Sequence, residues 1–203
     1  APYLAHACME PINCTADVRA DRDEVWVGTQ NPEAALEGVA EASGLKPEQC
    51  HVRTCFLGGG FGRRGHSDFI RQAVVVAKAV GKPVQLLWSR EEDIRQGYFR
   101  PMSAFRFRAG LDGEGQPTAF YNHTVTHSII AGLRPDAVAN GIDRSSIEGL
   151  APTIYGIRDR RAVHTIRNTH VSTWFWRSVG ASQNGWALES FIDEMAVAAK
   201  ADP

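Results

Sequence analysis

Eight consecutive residues, Gly58-Gly59-Gly60-Phe61-Gly62-Arg63-Arg64-Gly65, restrict the fold more than any other part of the chain. They follow a segment, His51 to Leu57, that reads as a strand, and they precede a helix that opens at Ser67 or Asp68. Three adjacent glycines are costly in chain entropy, so a simple reversal is a poor account of them. The helix has an inner face of Phe69, Ile70, Ala73, Val74 and Ala77, and Gly81 with Pro83 ends it.

The same grammar runs through the rest of the sequence. Val25 to Val27 reads as a strand. Asn31, Pro32 and Glu33 then open a helix as cap, first position and dipole partner, with the stripe Leu36, Val39, Ala40 and a stop at Gly44. Val84 to Trp88 is a third strand, and Phe105 to Ala109 with Thr118 to Thr126 form a hairpin closed by Asp112-Gly113-Glu114-Gly115. Gly132 to Pro152 reads as a long irregular connection, and His164 to Thr169 as a strand. Trp174 to Gly180 is a loop that opens a last helix with a buried stripe of Leu188, Ile192, Met195 and Ala199. The expected class is α+β: mixed β-sheets with helices packed on them.

The length, 203 residues, allows a sizeable core without staples. A net charge of -1 leaves no electrostatic footprint for nucleic acid. No stretch approaches the roughly 18 apolar residues of a membrane span, so no transmembrane segment is expected. Cys8, Cys14, Cys50 and Cys55 form no C-x-x-C pair and fit no zinc or iron–sulfur spacing; they read as buried thiols, with a Cys8–Cys14 disulfide left open. His123 and His127 lie along a strand and not on a helix face, which argues against metal ligation.

The chemistry concentrates in two loops of one design. Each carries glycine and arginine into a helix N-terminus, where free N–H groups and the dipole suit phosphate. Arg63 and Arg64 in the first loop and Arg177 in the second are expected to add forked donors, so that the two loops clamp one large phosphorylated cofactor. Gly60, Gly62 and Gly65 also spell G-x-G-x-x-G, which keeps a nicotinamide-type dinucleotide-binding domain as an alternative. Against it, no acidic residue stands about 20 positions on to take a ribose, and two arginines sit where such a loop tightens. A second alternative is a non-catalytic subunit-assembly module whose glycine loops only shape a contact.

His6-Ala7-Cys8-Met9-Glu10-Pro11, Gly28-Thr29-Gln30, Gly58 to Arg64 and Trp176-Arg177-Ser178-Val179-Gly180, in this order, resemble the molybdenum-binding large subunit of the xanthine oxidase and aldehyde oxidoreductase family. The Gly-Arg-Arg and Trp-Arg-Ser-Val-Gly forms are most similar to the isoquinoline 1-oxidoreductase beta subunit. The resemblance implies a molybdopterin-binding domain of a xanthine-oxidase-type hydroxylase. Its cofactor is molybdopterin with molybdenum, of the cytosine dinucleotide form common in bacterial members. It puts no direct metal ligand in this chain. Gln30 matches a glutamine whose amide hydrogen-bonds an oxygen on the molybdenum. Gly59, Gly60, Phe61, Gly62 and Arg63 match the first cofactor loop, and Arg177, Ser178, Val179 and Gly180 the second.

The implied activity inserts water-derived oxygen into a carbon of a small-molecule substrate and passes two electrons to iron–sulfur clusters on a partner subunit. Gly65 and Val179 replace an acidic residue and a stacking phenylalanine of the purine-oxidising members, which shifts the expected substrate to an N-heteroaromatic or an aldehyde. The family's catalytic glutamate lies in a glycine-rich motif that nothing here matches; Gly113-Glu114-Gly115 reads as a turn. Residues 1–203 are therefore expected to be one excised cofactor-binding domain. It would be inactive alone and would lean on the remainder of the large subunit; the sequence leaves the compartment of the implied bacterial enzyme, periplasm or cytoplasm, unknown.

Overall fold

The computed structural model describes residues 1–151 and 153–203. The chain forms two compact units: Ala5–Tyr98, and Ala1–Leu4 together with Phe99–Pro203.

The first unit is a four-stranded sheet with two helices on one face. Its strands are β1 (Asn13–Val18), β2 (Asp23–Val27), β3 (Cys50–Thr54) and β4 (Val84–Leu87), in the spatial order β3-β2-β1-β4. β1 is antiparallel to both of its neighbours, whereas β2 and β3 run parallel, with Val27 opposite Thr54. Helix α1 (Pro32–Ser43) makes the crossover between that parallel pair, and α2 (Asp68–Val80) carries the chain from β3 across to β4. The sheet is mixed, so it is not the parallel sheet that a nicotinamide-type domain needs behind its glycine loop.

Local chemistry accounts for these elements. Asn31 Oδ1 accepts the Ala34 N–H at 3.1 Å, Pro32 takes the first helical position, and Gly44 closes α1 in the left-handed region. In α2 the five residues of the expected inner face are the five that are buried. They pack on Ile12, Cys14, Ala16, Val25, Val27 and Val39 to make the core of this unit. The central strand β1 was not expected. Its inward residues, Cys14 and Ala16, are small, and Asn13 and Asp17 are poor strand formers, so only Thr15 and Val18 carry strand propensity in an otherwise weak signal. All four cysteines are free; three are buried, and Cys55 is exposed.

A short helix α3 (Arg90–Gln96) follows β4, capped by Ser89, whose Oγ accepts the Glu92 N–H at 3.2 Å. Its charge run is not simply solvated. Asp93 is buried and takes Arg90 at 2.8 Å, and Arg90 also donates to the carbonyls of Cys8 and Met9.

The second unit is built on β5 (Ser103–Leu111), β6 (Pro117–Thr126) and β7 (Asp159–Ile166), in that spatial order. β5 and β6 form the expected antiparallel hairpin, and β7 adds in parallel to β6. The long helix α4 (Val179–Ala199) lays Leu188, Phe191, Ile192 and Met195 over Phe107, Phe120, Leu150 and Ile157. Phe191 stacks on Phe107 with ring centroids 5.1 Å apart. The connection from β6 to β7 holds only short helical turns, as an irregular segment should; its expected end, Pro152, lies outside the described residues. No described helix is long and apolar enough to cross a membrane.

One group in the first unit is out of balance. Asp23 is 0% exposed, and no described side chain donates to either carboxyl oxygen; the neighbouring Glu24 N–H relieves it only in part. Burial, with help from nearby Asp17, pushes its pKa from 3.8 up to about 6. A raised carboxyl pKa favours the folded state while the group is protonated. That contribution is complete below pH 3.8 and is lost as pH rises through 6. Asp23→Asn is expected to match the parent in urea unfolding near pH 3.5 and to exceed it by about 2 to 3 kcal/mol at pH 7. A stability difference between the two that stays constant with pH would refute this reading of Asp23.

Candidate functional site

The parallel pair β2–β3 places the first candidate site. Ligands of such sheets sit beyond the carboxyl ends of the strands. β2 runs out into Gly28-Thr29-Gln30, and β3 into the glycine loop. The two segments are tied together: Gln30 N donates to the Arg64 carbonyl at 3.0 Å, and Thr29 Oγ1 donates to the same carbonyl at 3.1 Å. Gly62 N donates to Gln30 Oε1 at 2.9 Å. A backbone N–H can only donate, so this bond fixes the amide oxygen and leaves Gln30 Nε2 as the outward donor.

Gly60 is there for closeness. A Cβ at this position would overlap the carboxamide of Gln30. Phe61, exposed at the tip, sits at φ 52°, an uncommon conformation for a non-glycine residue and of the strained kind found at functional sites. Among the described residues, the N–H groups of Gly59, Gly60 and Phe61 take no hydrogen-bond partner. Successive free amides in a loop with positive φ values form a concavity suited to anionic or acceptor oxygens.

The arginines of this loop depart from expectation. Arg63 and Arg64 are 1% and 0% exposed, so neither guanidinium fork reaches out to a phosphate. Arg63 grips Asp68 with two bonds of 2.7 and 2.8 Å and lies over the rings of Phe69, Trp88 and Tyr98 at 5.3 to 5.8 Å. Burial alone would raise the Asp68 pKa, but the bonds from His66 and Arg63 bring it down to about 2. Arg64 donates to the carbonyls of Gly59 at 2.8 Å, Glu10 at 2.9 Å, and Gly28 and Pro11 at 3.4 Å, and pairs with Glu10 Oε2 at 3.0 Å. The physical reason is geometric. The loop ends in a tight turn, Arg63–Gly65, that directs both side chains inward, Arg63 to the Asp68 carboxylate and Arg64 to backbone carbonyls.

Glu10 completes that knot. Its Oε2 accepts Gly58 N–H at 2.6 Å and its Oε1 accepts Asn13 Nδ2 at 2.7 Å. Burial works to raise its pKa, but the Gly58 N–H, Asn13 and Arg64 outweigh it and hold the carboxyl low. From above the loop, the Cys8 thiol donates to the Gly60 carbonyl at 3.3 Å.

The second loop belongs to the other unit. Arg177 is exposed and, among the described residues, has no hydrogen-bond or ion-pair partner. Ser178 and Val179 sit at φ 70° and 47°. For a β-branched valine this is a true outlier, held by its surroundings. Val179 N donates to the Trp176 carbonyl at 2.7 Å, and Gly180 lies so close to the Ser145 carbonyl that no side chain fits. Sequence reasoning missed the support beneath. Asp143, buried, accepts the hydroxyls of Ser128, Ser145 and Ser146 at 2.6 to 2.8 Å, while Asn184 Nδ2 bonds the carbonyls of Ser146 and Glu148 at 3.0 and 2.9 Å. The run Asp143-Arg-Ser-Ser carried a cap signal for this turn, but its link to the last helix is long-range and left no trace in the sequence.

The profile of the molybdopterin cofactor-binding domain matches residues 1–203, the whole chain. The chain belongs to that family. It is 31% identical over 202 residues to the beta subunit of isoquinoline 1-oxidoreductase of Brevundimonas diminuta, with 97% of this chain aligned to 26% of that protein. It is 26% identical to a nicotinate dehydrogenase subunit of Pseudomonas putida, over 100% of this chain and 17% of that one. Aldehyde oxidoreductase from Desulfovibrio gigas shares the fold with a TM-score of 0.79 at 22% identity, over 99% of this chain and 22% of that one. The chain spans about a quarter of the isoquinoline relative it matches. The cofactor-binding domain thus has the mixed α+β architecture read from its sequence.

Within this molybdopterin-binding domain, the fully buried Arg64 is the fixed point of the first loop. Arg64→Met is expected to cost about 3 to 5 kcal/mol in urea unfolding, because it strips the buried cation from several carbonyls and from the half-buried Glu10 carboxylate. Arg71→Ala, which breaks a mostly exposed pair with Glu41, is expected to cost under about 1 kcal/mol. Equal losses for the two variants would show that Arg64 is not structural.

Proposed function

We propose that this domain holds a molybdopterin cofactor, in the cytosine dinucleotide form, for a larger oxidoreductase. That enzyme hydroxylates an N-heteroaromatic or aldehyde carbon with oxygen from water. The remainder of a large subunit supplies the catalytic base, two electrons leave to iron–sulfur clusters on a partner, and this domain is inactive by itself. The observation that carries the reading is the fixed carboxamide of Gln30. Its oxygen is held by Gly62 N–H, so its NH₂ is presented next to three unpartnered amides.

The residues present fit such a group. A pterin and its phosphates offer many acceptor oxygens, and the first loop offers only donors: Gln30 Nε2 and the N–H groups of Gly59, Gly60 and Phe61. Gln30 is neutral, so it orients an acceptor without adding charge to it. Arg63 contributes here through the turn it anchors and not through its guanidinium. Arg177, exposed, is the cation available to a phosphate, and Ser178, Val179 and Gly180 set its position. When bound, the group supplies the two-electron redox chemistry; the domain's share is binding and orientation. The names of the isoquinoline, nicotinate and aldehyde relatives support the substrate class.

In the full-length protein, Gln30→Leu and Arg177→Ala are expected to lower bound molybdenum or turnover by about 10- to 100-fold, with folding unchanged. Gly60→Ala, which displaces Gln30, is expected to repeat the Gln30 defect. Metal content by mass spectrometry and hydroxylation assays report on both. Unchanged cofactor content and turnover in Gln30→Leu and Arg177→Ala would favour an assembly role for the loops, and full hydroxylase activity without molybdenum would refute the proposal outright.

A further inference from the structure

The unit formed by residues 1–4 and 99–203 encloses a small hollow beneath the second loop. It has a volume of about 20 Å³, and its walls include Arg100, His127, Trp176, Val179, Gly180 and Gln183. That is room for one ion or molecule of water size. Four buried polar atoms without partners belong to these walls: Arg100 Nε, His127 Nδ1, Trp176 Nε1 and Gln183 Oε1. Gln183 and His127 are 4% and 9% exposed. Buried polar atoms are almost always paired, so four orphans from four chain segments around one hollow mark a binding site.

Their chemistry selects the occupant. Arg100 Nε and Trp176 Nε1 can only donate. Neither end of the Gln183 amide has a partner among the described residues, so its NH₂ can turn inward. His127 donates from Nδ1 in one tautomer, and burial lowers its pKa, so it adds no charge. The positive charge is Arg100, which bonds the Pro2 carbonyl and has no carboxylate partner among the described residues. The uncapped start of the 21-residue helix α4 faces the same hollow through Val179 and Gly180 and adds its positive dipole end. The nearby carboxylate, Asp143, is already satisfied by Ser128, Ser145 and Ser146.

We propose that this hollow binds one monovalent anion of halide size. Held by Arg100, Trp176 and Gln183, the anion bridges the segment after Phe99 to the first turn of α4, and so braces the loop that carries Arg177. The site does not depend on the cofactor reading: Arg100, Trp176 and Gln183 are not assigned to the cofactor, and Val179 and Gly180 of the cofactor loop only form part of the wall.

Bromide soaked into crystals of the full-length protein, with data collected at the bromine edge, tests the site directly. An anomalous peak in the hollow is expected. The thermal midpoint is expected to rise by about 3 °C or more in saturating bromide or chloride over sodium gluconate of equal ionic strength. Gln183→Glu keeps the side chain's shape and places a negative charge in the hollow, and it is expected to abolish both the peak and the rise. Trp176→Phe, which removes one donor, is expected to weaken halide binding at least tenfold. Density for water alone with equal midpoints in halide and gluconate would overturn the proposal, as would a halide peak that survives in Gln183→Glu.

Discussion

The guanidinium of Arg64 is the point on which the first unit's loops are hung. It lies inside the protein at the open ends of β2 and β3 and gathers carbonyls from Glu10, Pro11, Gly28 and Gly59, with the Glu10 carboxylate as counter-ion. Each of those carbonyls belongs to a stretch that leaves regular structure, where the backbone has lost its ladder partners. A planar cation with five donors can serve several such acceptors at once; a lysine cannot. The Arg64 carbonyl in turn receives the Gln30 N–H, so the same residue that closes the loop sets the carboxamide beside it.

From that anchor the rest of the site follows. With the arginines turned inward, the outer surface of the glycine loop is left to backbone N–H groups and one neutral amide. Such a surface offers modest donors in fixed places, without a strong local charge. The other unit holds Arg177, exposed and without a partner among the described residues, where a strained turn at Ser178 and Val179 is underpinned by Asp143 and Asn184. Each unit therefore combines a rigid polar base with a loop whose backbone departs from ordinary conformations.

Much of the fold was legible because local rules and burial agree. Asn31, Pro32 and Gly44 bound the first helix, and the apolar stripe of α2 is buried as read. The hairpin of β5 and β6 closes on the expected turn. Strand β1 escaped notice because Cys14 and Ala16 are buried by their neighbours and not by strong propensity of their own. Cys55, read as buried, is exposed just beyond the end of β3.

By itself, the sequence determined the α+β class, the two glycine-and-arginine loops and their places before helices, and the family through four ordered motifs. Glycine, proline and capping residues act on the backbone within a few positions, so their effects can be read along the chain. Only the tertiary structure decided which polar groups remain available. Arg63, Arg64 and Arg177 look alike in sequence, yet two are consumed by partners up to 54 residues away, and Arg177 is exposed with no partner among the described residues. Likewise, nothing in the sequence joins Arg100, His127, Trp176 and Gln183. Hydrogen-bond satisfaction is a property of the folded neighbourhood, and residues distant in sequence compose it.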